Sequence, residues 1–387
     1  MIKRQHVVAN FFASADAMRD SLDLRFKDPY TYKTSWDYFC DPKMYTYLRA
    51  RAQEMVPAPL FMQFTQRLRQ WCLDNLGLLP MRLPFLNLMV NGCRLGLHSD
   101  FHNGAWGYVY SLTRWQTRRF SGGETLLMRD GIPSYKQHHV HGEVLYELIP
   151  AHFNQLLIFD DRIVHGTTTI EGSMDPLDGR IALVGHIRAT SPIVSGPLFD
   201  GDVRAVVRDA LARIHDRTKA YREVQGTITC RLEVSPAGQV STLTSLTDNL
   251  VTSATGYGPS NAVKSVRAEI QRTLAEAQFP TADSATSVVV AVLVPVPELT
   301  PIEFQVPHSS DWTAVRNRLE RQFAQVGDLE LCGCWEDNLF SVREPVSGDI
   351  RVEPNRISVR LDAPMWVPSQ RGRFEKALNQ WLATSAA

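Results

Sequence analysis

The sequence Asn91-Gly92-Cys93-Arg94-Leu95-Gly96-Leu97-His98-Ser99-Asp100 opens the stretch that decides the fold, and Phe159-Asp160-Asp161-Arg162-Ile163-Val164-His165-Gly166 closes it. Residues two apart on a β-strand point to the same side, so we expect His98 and Asp100 to bind one ion together. His165, on a remote strand, would supply the third ligand. Two imidazoles and one carboxylate on one face of an octahedron form the ligand set of non-haem Fe(II), with the opposite positions open.

Short strand-like runs lie around and between these two motifs. They contain apolar, β-branched and aromatic residues bounded by Gly, Asn and Asp, and they cover residues 83–90, 107–113, 123–128, 155–160 and 180–189. Short strands joined by turns, with no helices between them, predict a mostly β catalytic domain, a jelly roll or double-stranded β-helix. Helical patterns before residue 80 predict flanking helices, one of them from Pro59 to Leu76 with Gly77 as its end.

Five sequence pieces in a fixed order carry a family resemblance. They are the Gly-rich entry to His98-X-Asp100, Tyr110-Ser111-Leu112-Thr113, Gly122-Gly123-Glu124-Thr125, Phe159-Asp160 followed by His165, and Gly179-Arg180-Ile181-Ala182-Leu183. With these pieces, residues 1–200 resemble the 2-oxoglutarate and Fe(II)-dependent oxygenases, within their prolyl-4-hydroxylase-like branch. The resemblance implies an enzyme, a 2-oxoglutarate-dependent dioxygenase (hydroxylase) that uses Fe(II), 2-oxoglutarate and O2. It would hydroxylate an unactivated C–H bond and release succinate and CO2.

The resemblance also implies residues that bind the co-substrate. Arg180 is the candidate for the far carboxylate of 2-oxoglutarate, because a planar guanidinium can bind a carboxylate through two hydrogen bonds. Arg188, on the same strand-like run, is the alternative. Tyr110 matches a family position whose phenol contacts the same carboxylate, and Tyr108 lies two residues earlier on the same strand face.

Composition limits the partners and the location. Lys plus Arg equals Asp plus Glu at 41 each, so the net charge gives no global electrostatic argument for binding nucleic acid or an anionic membrane. The six cysteines are scattered and do not form the framework of a small secreted domain. The N-terminus lacks the pattern of a signal peptide, and no run approaches the ~20 apolar residues of a membrane span. We expect a cytoplasmic protein.

Residues 26–50 form a dense aromatic segment that contains eight Phe, Tyr and Trp side chains interleaved with Asp-Pro pairs. This composition predicts an ordered loop. Two roles stay open for it: the loop covers one face of the catalytic sheet, or it forms a lid over the mouth of the site.

The pattern changes after residue 200. Residues 201–225 read as a helical linker, and residues 226–300 as a small ββαβ domain that loosely resembles the C-terminal domain of TonB-type proteins. Residues 301–387 read as a further α+β unit, so the catalytic domain is followed by one or two small α+β domains. Neither unit carries a recognisable catalytic set. We expect them to bind a peptide, a protein partner or a second copy of the chain, or to serve a structural role.

Several functional alternatives stay open. The resemblance favours a residue of a peptide or protein as substrate, with a free amino acid or another small metabolite as the alternative. The same three ligands on zinc would make a hydrolase, which would need neither O2 nor 2-oxoglutarate. A catalytically silent jelly-roll binding module would retain no metal.

Overall fold

The computed structural model describes most of the 387 residues. The described ranges are 4–32, 35–80, 84–101, 103–129, 145–189, 191–252, 261–296, 301–324, 332–344, 346–362 and 368–386. The chain divides into two compact units: Lys3–Cys72 with Pro80–Arg188, and Leu73–Leu79 with Ala189–Ala387.

Between residues 4 and 188 the chain is mostly β. The helices are α1 (Ala15–Lys27), α2 (Ala52–Met55) and α3 (Ala58–Asn75). The strands are β1 (Gln5–Val8), β2 (Asp37–Asp41), β3 (Tyr45–Arg51), β4 (Leu79–Pro80), β5 (Phe85–Met89), β6 (Arg94–His98), β7 (Trp106–Ser111), β8 (Phe120–Ser121), β9 (Thr125–Met128), β10 (Tyr146–Ile149), β11 (Gln155–Asp160), β12 (His165–Thr167), β13 (Glu171–Gly172) and β14 (Arg180–Arg188).

One antiparallel sheet dominates this unit, with its strands in the order β1-β11-β7-β14-β5-β3-β6-β12-β9-β10. In this order β14 and β9 are five steps apart, which would be about 24 Å in a flat sheet. However, Arg180 Nη2 on β14 lies 3.3 Å from Thr125 Oγ1 on β9. The sheet is therefore curled, so that its two ends face each other across a concave interior.

Alternation along β7 fixes which side chains enter this interior. Tyr110 lies on the outer face, where its ring packs on Phe64 of α3 at a centroid distance of 4.7 Å. Val109 points the other way and packs against the interior apolar cluster that contains Phe159 and Leu157. Because Phe64 is fully buried, α3 covers the outer face of the sheet, and the concave face is left for a ligand site.

The strand predictions for this unit are confirmed, with β5, β7, β9, β11 and β14 at the expected places. The prediction of an ordered loop at residues 26–50 is wrong for its second half. There β2 and β3 pair as an antiparallel hairpin in which Phe39 lies opposite Tyr47. Aromatic residues at alternate positions favour strands, and in residues 37–51 this preference prevails over the turn tendency of the neighbouring Asp-Pro pairs.

The second unit contains two five-stranded sheets. The first has the order β15-β19-β16-β17 with β18 beside β16, and the second has the order β20-β24-β23-β22-β21. The elements are β15 (Ile193–Ser195), α4 (Asp200–Thr218), β16 (Val224–Val234), β17 (Val240–Asp248), β18 (Val251–Thr252), α5 (Asn261–Ala275), β19 (Thr286–Val294), β20 (Ile302–Pro307), α6 (Trp312–Ala324), β21 (Cys332–Glu336), β22 (Leu339–Glu344), β23 (Ser347–Glu353), β24 (Arg356–Asp362) and α7 (Pro368–Ala386).

Each of these sheets has its own apolar core. Ile270 of α5 and Leu232 of β16 belong to the first core. Ile350 of β23 and Leu378 of α7 belong to the second. The predicted division near residue 300 stays a prediction, because residues 189–387 form one compact unit. None of the helices in the described part of the chain is both long and apolar enough to cross a bilayer.

Candidate metal centre

Three predicted ligands converge at one end of the curled sheet. His98 at the end of β6 lies directly opposite His165 at the start of β12. Asp100 Oδ2 lies 3.5 Å from Nε2 of His98 and 3.5 Å from Nε2 of His165. Cis ligands of an octahedral ion with bonds near 2.1 Å are about 3 Å apart. The three donor atoms therefore fit one divalent cation after small side-chain adjustments.

Backbone carbonyls fix the tautomer of both imidazoles. His98 Nδ1 lies 2.8 Å from the Gly96 carbonyl oxygen, and His165 Nδ1 lies 2.8 Å from that of Ile163. A carbonyl oxygen can only accept, so each Nδ1 carries the proton and donates it. In the neutral form of each imidazole, Nε2 is then the lone-pair donor at the shared site, which is the state that binds a metal.

The Asp100 carboxylate is held by its neighbours. Its backbone N–H donates to the Asp161 carbonyl at 3.0 Å, and Asn103 Nδ2 donates to Asp100 Oδ1 at 3.0 Å. These bonds leave Oδ2 for the site. Burial alone would raise the pKa of Asp100, but the contacts with His165 and His98 outweigh it and hold the pKa well below its usual range. Asp100 is therefore a carboxylate at neutral pH.

A second carboxylate–imidazole pair lies beside the first. His186 Nδ1 on β14 and Asp161 Oδ2 are 2.9 Å apart, and these two side chains form a second potential cluster together with Asp100. Asp161 is fully buried, and its Oδ1 has no hydrogen-bond partner among the described residues. Burial raises the pKa of Asp161, and the contact with Asp161 raises that of His186 against the effect of burial. A Cβ at Gly107 would lie 2.5 Å from Asp161 Oδ1, so glycine is needed there.

Asp161 and Asn103 are functional candidates that the sequence analysis did not assign. Asp161 stands inside the motif that ends at His165, four residues before the histidine. Two adjacent Asp residues at a strand end were the available signal. The neighbouring Asp160 has a different role, because it accepts from Nε of Arg4 at 2.9 Å and from Nε of Arg162 at 2.9 Å. It orders the turn that leads to His165.

Arg180 enters the concave interior as a buried cation. Only 2% of the residue is exposed, and its guanidinium donates to the Gly123 carbonyl, Thr125 Oγ1 and Met89 Sδ. Within the described ranges it forms no ion pair with a carboxylate. Burial lowers its pKa to about 10, with Glu124 acting in the opposite direction. A buried charge without a counter-charge is strongly unfavourable, so this position fits the carboxylate of a ligand.

The other predicted co-substrate residues lie elsewhere. The Tyr110 hydroxyl donates to Asn154 Oδ1 at 2.9 Å on the outer face, and alternation places Tyr108 on the same face. The predicted contact of these two phenols with 2-oxoglutarate is therefore wrong, because the pleat turns them toward α3. Arg188 Nε donates to the Asn103 carbonyl at 2.8 Å, which leaves Arg180 as the better candidate.

Comparisons with known proteins give matches among solved structures. No family model matches the chain, and no curated protein matches it. A prolyl-4-hydroxylase from Pseudomonas putida is 15% identical over 48% of this chain and 91% of that chain, with a TM-score of 0.34. A prolyl hydroxylase from Trichoplax adhaerens, solved with a peptide fragment of hypoxia inducible factor, is 15% identical over 52% and 86%, with a TM-score of 0.34.

An oxidoreductase of the 2OG-Fe(II) oxygenase family from Burkholderia pseudomallei is 16% identical over 46% of this chain and 83% of that chain, with a TM-score of 0.33. At these identities, the function of this chain rests on the geometry of its own site.

Proposed function

We propose that the chain is an Fe(II)- and 2-oxoglutarate-dependent hydroxylase and that its curled sheet is a jelly roll. One observation carries the proposal. The concave face holds a convergent set of two imidazoles and a carboxylate, and the same face holds the buried cation Arg180 without a carboxylate partner among the described residues. The first feature fits a redox-active divalent ion, and the second fits a ligand with a carboxylate far from that ion.

The proposed role of each residue follows from its chemistry. His98, Asp100 and His165 would hold Fe(II), and the carbonyl bonds to both Nδ1 atoms keep each Nε2 available for it. Arg180 would bind the far carboxylate of 2-oxoglutarate and so set the orientation of the co-substrate. When bound, the ion activates O2 while 2-oxoglutarate is oxidised to succinate and CO2. Thr125 and Gly123 hold the Arg180 guanidinium in place before any ligand arrives.

The substrate is proposed to be an amino-acid residue with an unactivated C–H bond, in a peptide or protein or as a free molecule. The interior face carries apolar side chains, such as Phe159 within 4.6 Å of the His165 ring centroid, which exclude water beside the site. Exclusion of water protects an oxidising site from side reactions.

The proposal is tested by anaerobic reconstitution with Fe(II), followed by addition of 2-oxoglutarate. We expect a visible charge-transfer band when the keto acid binds the ion, and labelled succinate after admission of O2. His165→Ala removes one proposed ligand and should lose the band. Arg67→Met, at an exposed position of α3, is the control and should keep it. Absence of the band and of succinate in the wild-type protein would contradict the proposal. Turnover of an ester or amide by the zinc-loaded protein without O2 would favour a hydrolase instead.

A further inference from the structure

Arg49 of β3 lies on the concave face, where its guanidinium packs against two aromatic rings. Its guanidinium carbon lies 4.0 Å from the ring centroid of Phe39 and 4.2 Å from that of Phe85. Its Nε is buried and has no hydrogen-bond partner, and no carboxylate of the described chain pairs with Arg49. The guanidinium therefore packs on two aromatic rings, which leaves its N–H edge for a polar partner.

A buried acceptor lies beside this buried donor. Asn87 of β5 is directly opposite Arg49 in the antiparallel pair, which places the two Cβ atoms about 5 Å apart. Asn87 Oδ1 is buried and likewise has no hydrogen-bond partner within the described ranges. A buried donor or acceptor without a hydrogen-bond partner is unfavourable, so two such groups side by side require an explanation.

The strand order β14-β5-β3-β6 places this pair on the two strands between the one that carries Arg180 and the one that carries His98. Asn87 is two residues before Met89, whose sulfur lies 3.6 Å from Arg180 Nη1. On the other side, Tyr47 is two residues before Arg49 and shares its face. Burial raises the pKa of the Tyr47 phenol, while Arg49 lowers it and the Asp100 carboxylate raises it. The phenol therefore lies within the field of both the Arg49 charge and a metal ligand.

We propose that Arg49 and Asn87 bind the substrate itself, with the Arg49 guanidinium edge on an α-carboxylate and Asn87 Oδ1 accepting from the adjacent N–H. The substrate class is then an α-amino acid with a free carboxylate, either a free molecule or the C-terminal residue of a peptide. A carboxylate matches the planar edge that the two Phe rings leave open. This inference rests on the proposed function, because it assigns Arg180 to 2-oxoglutarate and Arg49 to the substrate.

The experiment has two steps, so that the two proposals fail separately. In the first, wild-type, Arg49→Met and Arg180→Met proteins loaded with Mn(II) are titrated with N-oxalylglycine, an unreactive analogue of 2-oxoglutarate. We expect the wild-type and Arg49→Met proteins to bind the analogue alike and Arg180→Met to bind it at least about tenfold more weakly. Loss of binding in Arg49→Met with retention in Arg180→Met would overturn the inference. If the wild-type protein does not bind N-oxalylglycine, both the proposed function and the inference are contradicted.

In the second step, the protein saturated with N-oxalylglycine is titrated with the twenty amino acids, their N-acetyl derivatives and their amides. We expect at least one acid to bind about tenfold or more tightly than its matched amide, because a charged hydrogen bond is worth about 1.5–3 kcal/mol. Arg49→Met should abolish this preference and Arg49→Lys should retain part of it. Tight binding of the free acid identifies a free amino acid, and tight binding of the N-acetyl acid identifies a C-terminal residue.

Arg67→Met is the matched control, since Arg67 also stacks on a ring, that of Phe11, but on the outer face. It should leave the preference unchanged. Asn87→Ala should weaken binding of acid and amide alike, because Asn87 contacts the N–H and not the carboxylate. Equal affinities for every acid and its amide, or a preference that survives Arg49→Met, would overturn the inference. Melting curves of all variants show whether a loss reflects misfolding.

Discussion

At the scale of single residues, the metal ligands owe their geometry to groups that never touch the ion. Carbonyl oxygens of Gly96 and Ile163 fix the two imidazoles, and Asp161 supports Asp100 through its own backbone carbonyl. The Asp161 side chain in turn positions His186. Such supporting contacts determine how well a site is formed before the ion binds.

Asp161→Asn should lower the affinity for the metal. The change keeps the size of the side chain but removes the negative charge beside the cluster and alters its contact with His186. Loss of such a supporting group lowers metal affinity about 10- to 100-fold. Competition of the apo protein with a chelator for Mn(II) measures the effect. Asp175→Asn, on an exposed loop, is the matched control. An unchanged affinity in Asp161→Asn would show that the backbone carbonyl alone supports Asp100.

Arg180→Met should separate ligand binding from stability. Removal of the guanidinium should weaken 2-oxoglutarate binding about 10- to 100-fold, since hydrogen bonds to charged groups contribute about 1.5–3 kcal/mol. The free energy of unfolding without ligand should not fall, because an unpaired buried charge is replaced by an apolar side chain. Arg188→Met is the control and should keep the affinity. If Arg188→Met weakens 2-oxoglutarate binding and Arg180→Met does not, the far carboxylate of 2-oxoglutarate is assigned to Arg188.

At the scale of elements, sequence patterns predicted the strands well and the direction of their side chains less well. The largely apolar runs at 155–160 and 180–189 became β11 and β14, in which residues 156–159 and 181–183 are apolar and buried on both faces of the sheet. Tyr110 could not be placed from its motif, since both faces of β7 are buried and a motif does not state which face meets α3. Arg49 and Asn87 belong to no motif, and they meet only through the pairing of β3 with β5.

Tyr110→Phe tests the assignment of β7 side chains to the outer face. The substitution removes the hydrogen bond to Asn154 and should lower the free energy of unfolding by about 1 kcal/mol. The dissociation constant for 2-oxoglutarate should stay within the error of the wild-type value, because the phenol does not enter the interior. Denaturant titration and calorimetry provide the two measurements. If Tyr110→Phe weakens 2-oxoglutarate binding as much as Arg180→Met does, Tyr110 contacts the co-substrate after all.

At the scale of the whole molecule, residues 189–387 form one compact unit that contains two apolar clusters, and the predicted division near residue 300 stays a prediction. Ile270 and Ile350 lie in different clusters, each fully buried.

Ile270→Ala and Ile350→Ala together test the domain division near residue 300. Each substitution creates a cavity that should lower stability by about 2–5 kcal/mol. With separate domains, each variant should shift only one calorimetric transition, and the two variants should shift different ones. A single transition that moves in both variants would show one cooperative domain from residue 189 to the C-terminus.

The pairing of His98 with His165 links folding of the chain to formation of the metal site. The two residues are about 70 positions apart, and closing a loop of that length costs about 4 kcal/mol of chain entropy. The metal site therefore forms only after these two distant segments have paired. A cation that binds the completed site stabilises the folded state relative to the unfolded chain. Under the proposed function, an added protease should therefore cleave the chain without Fe(II) faster than the Fe(II)-loaded chain.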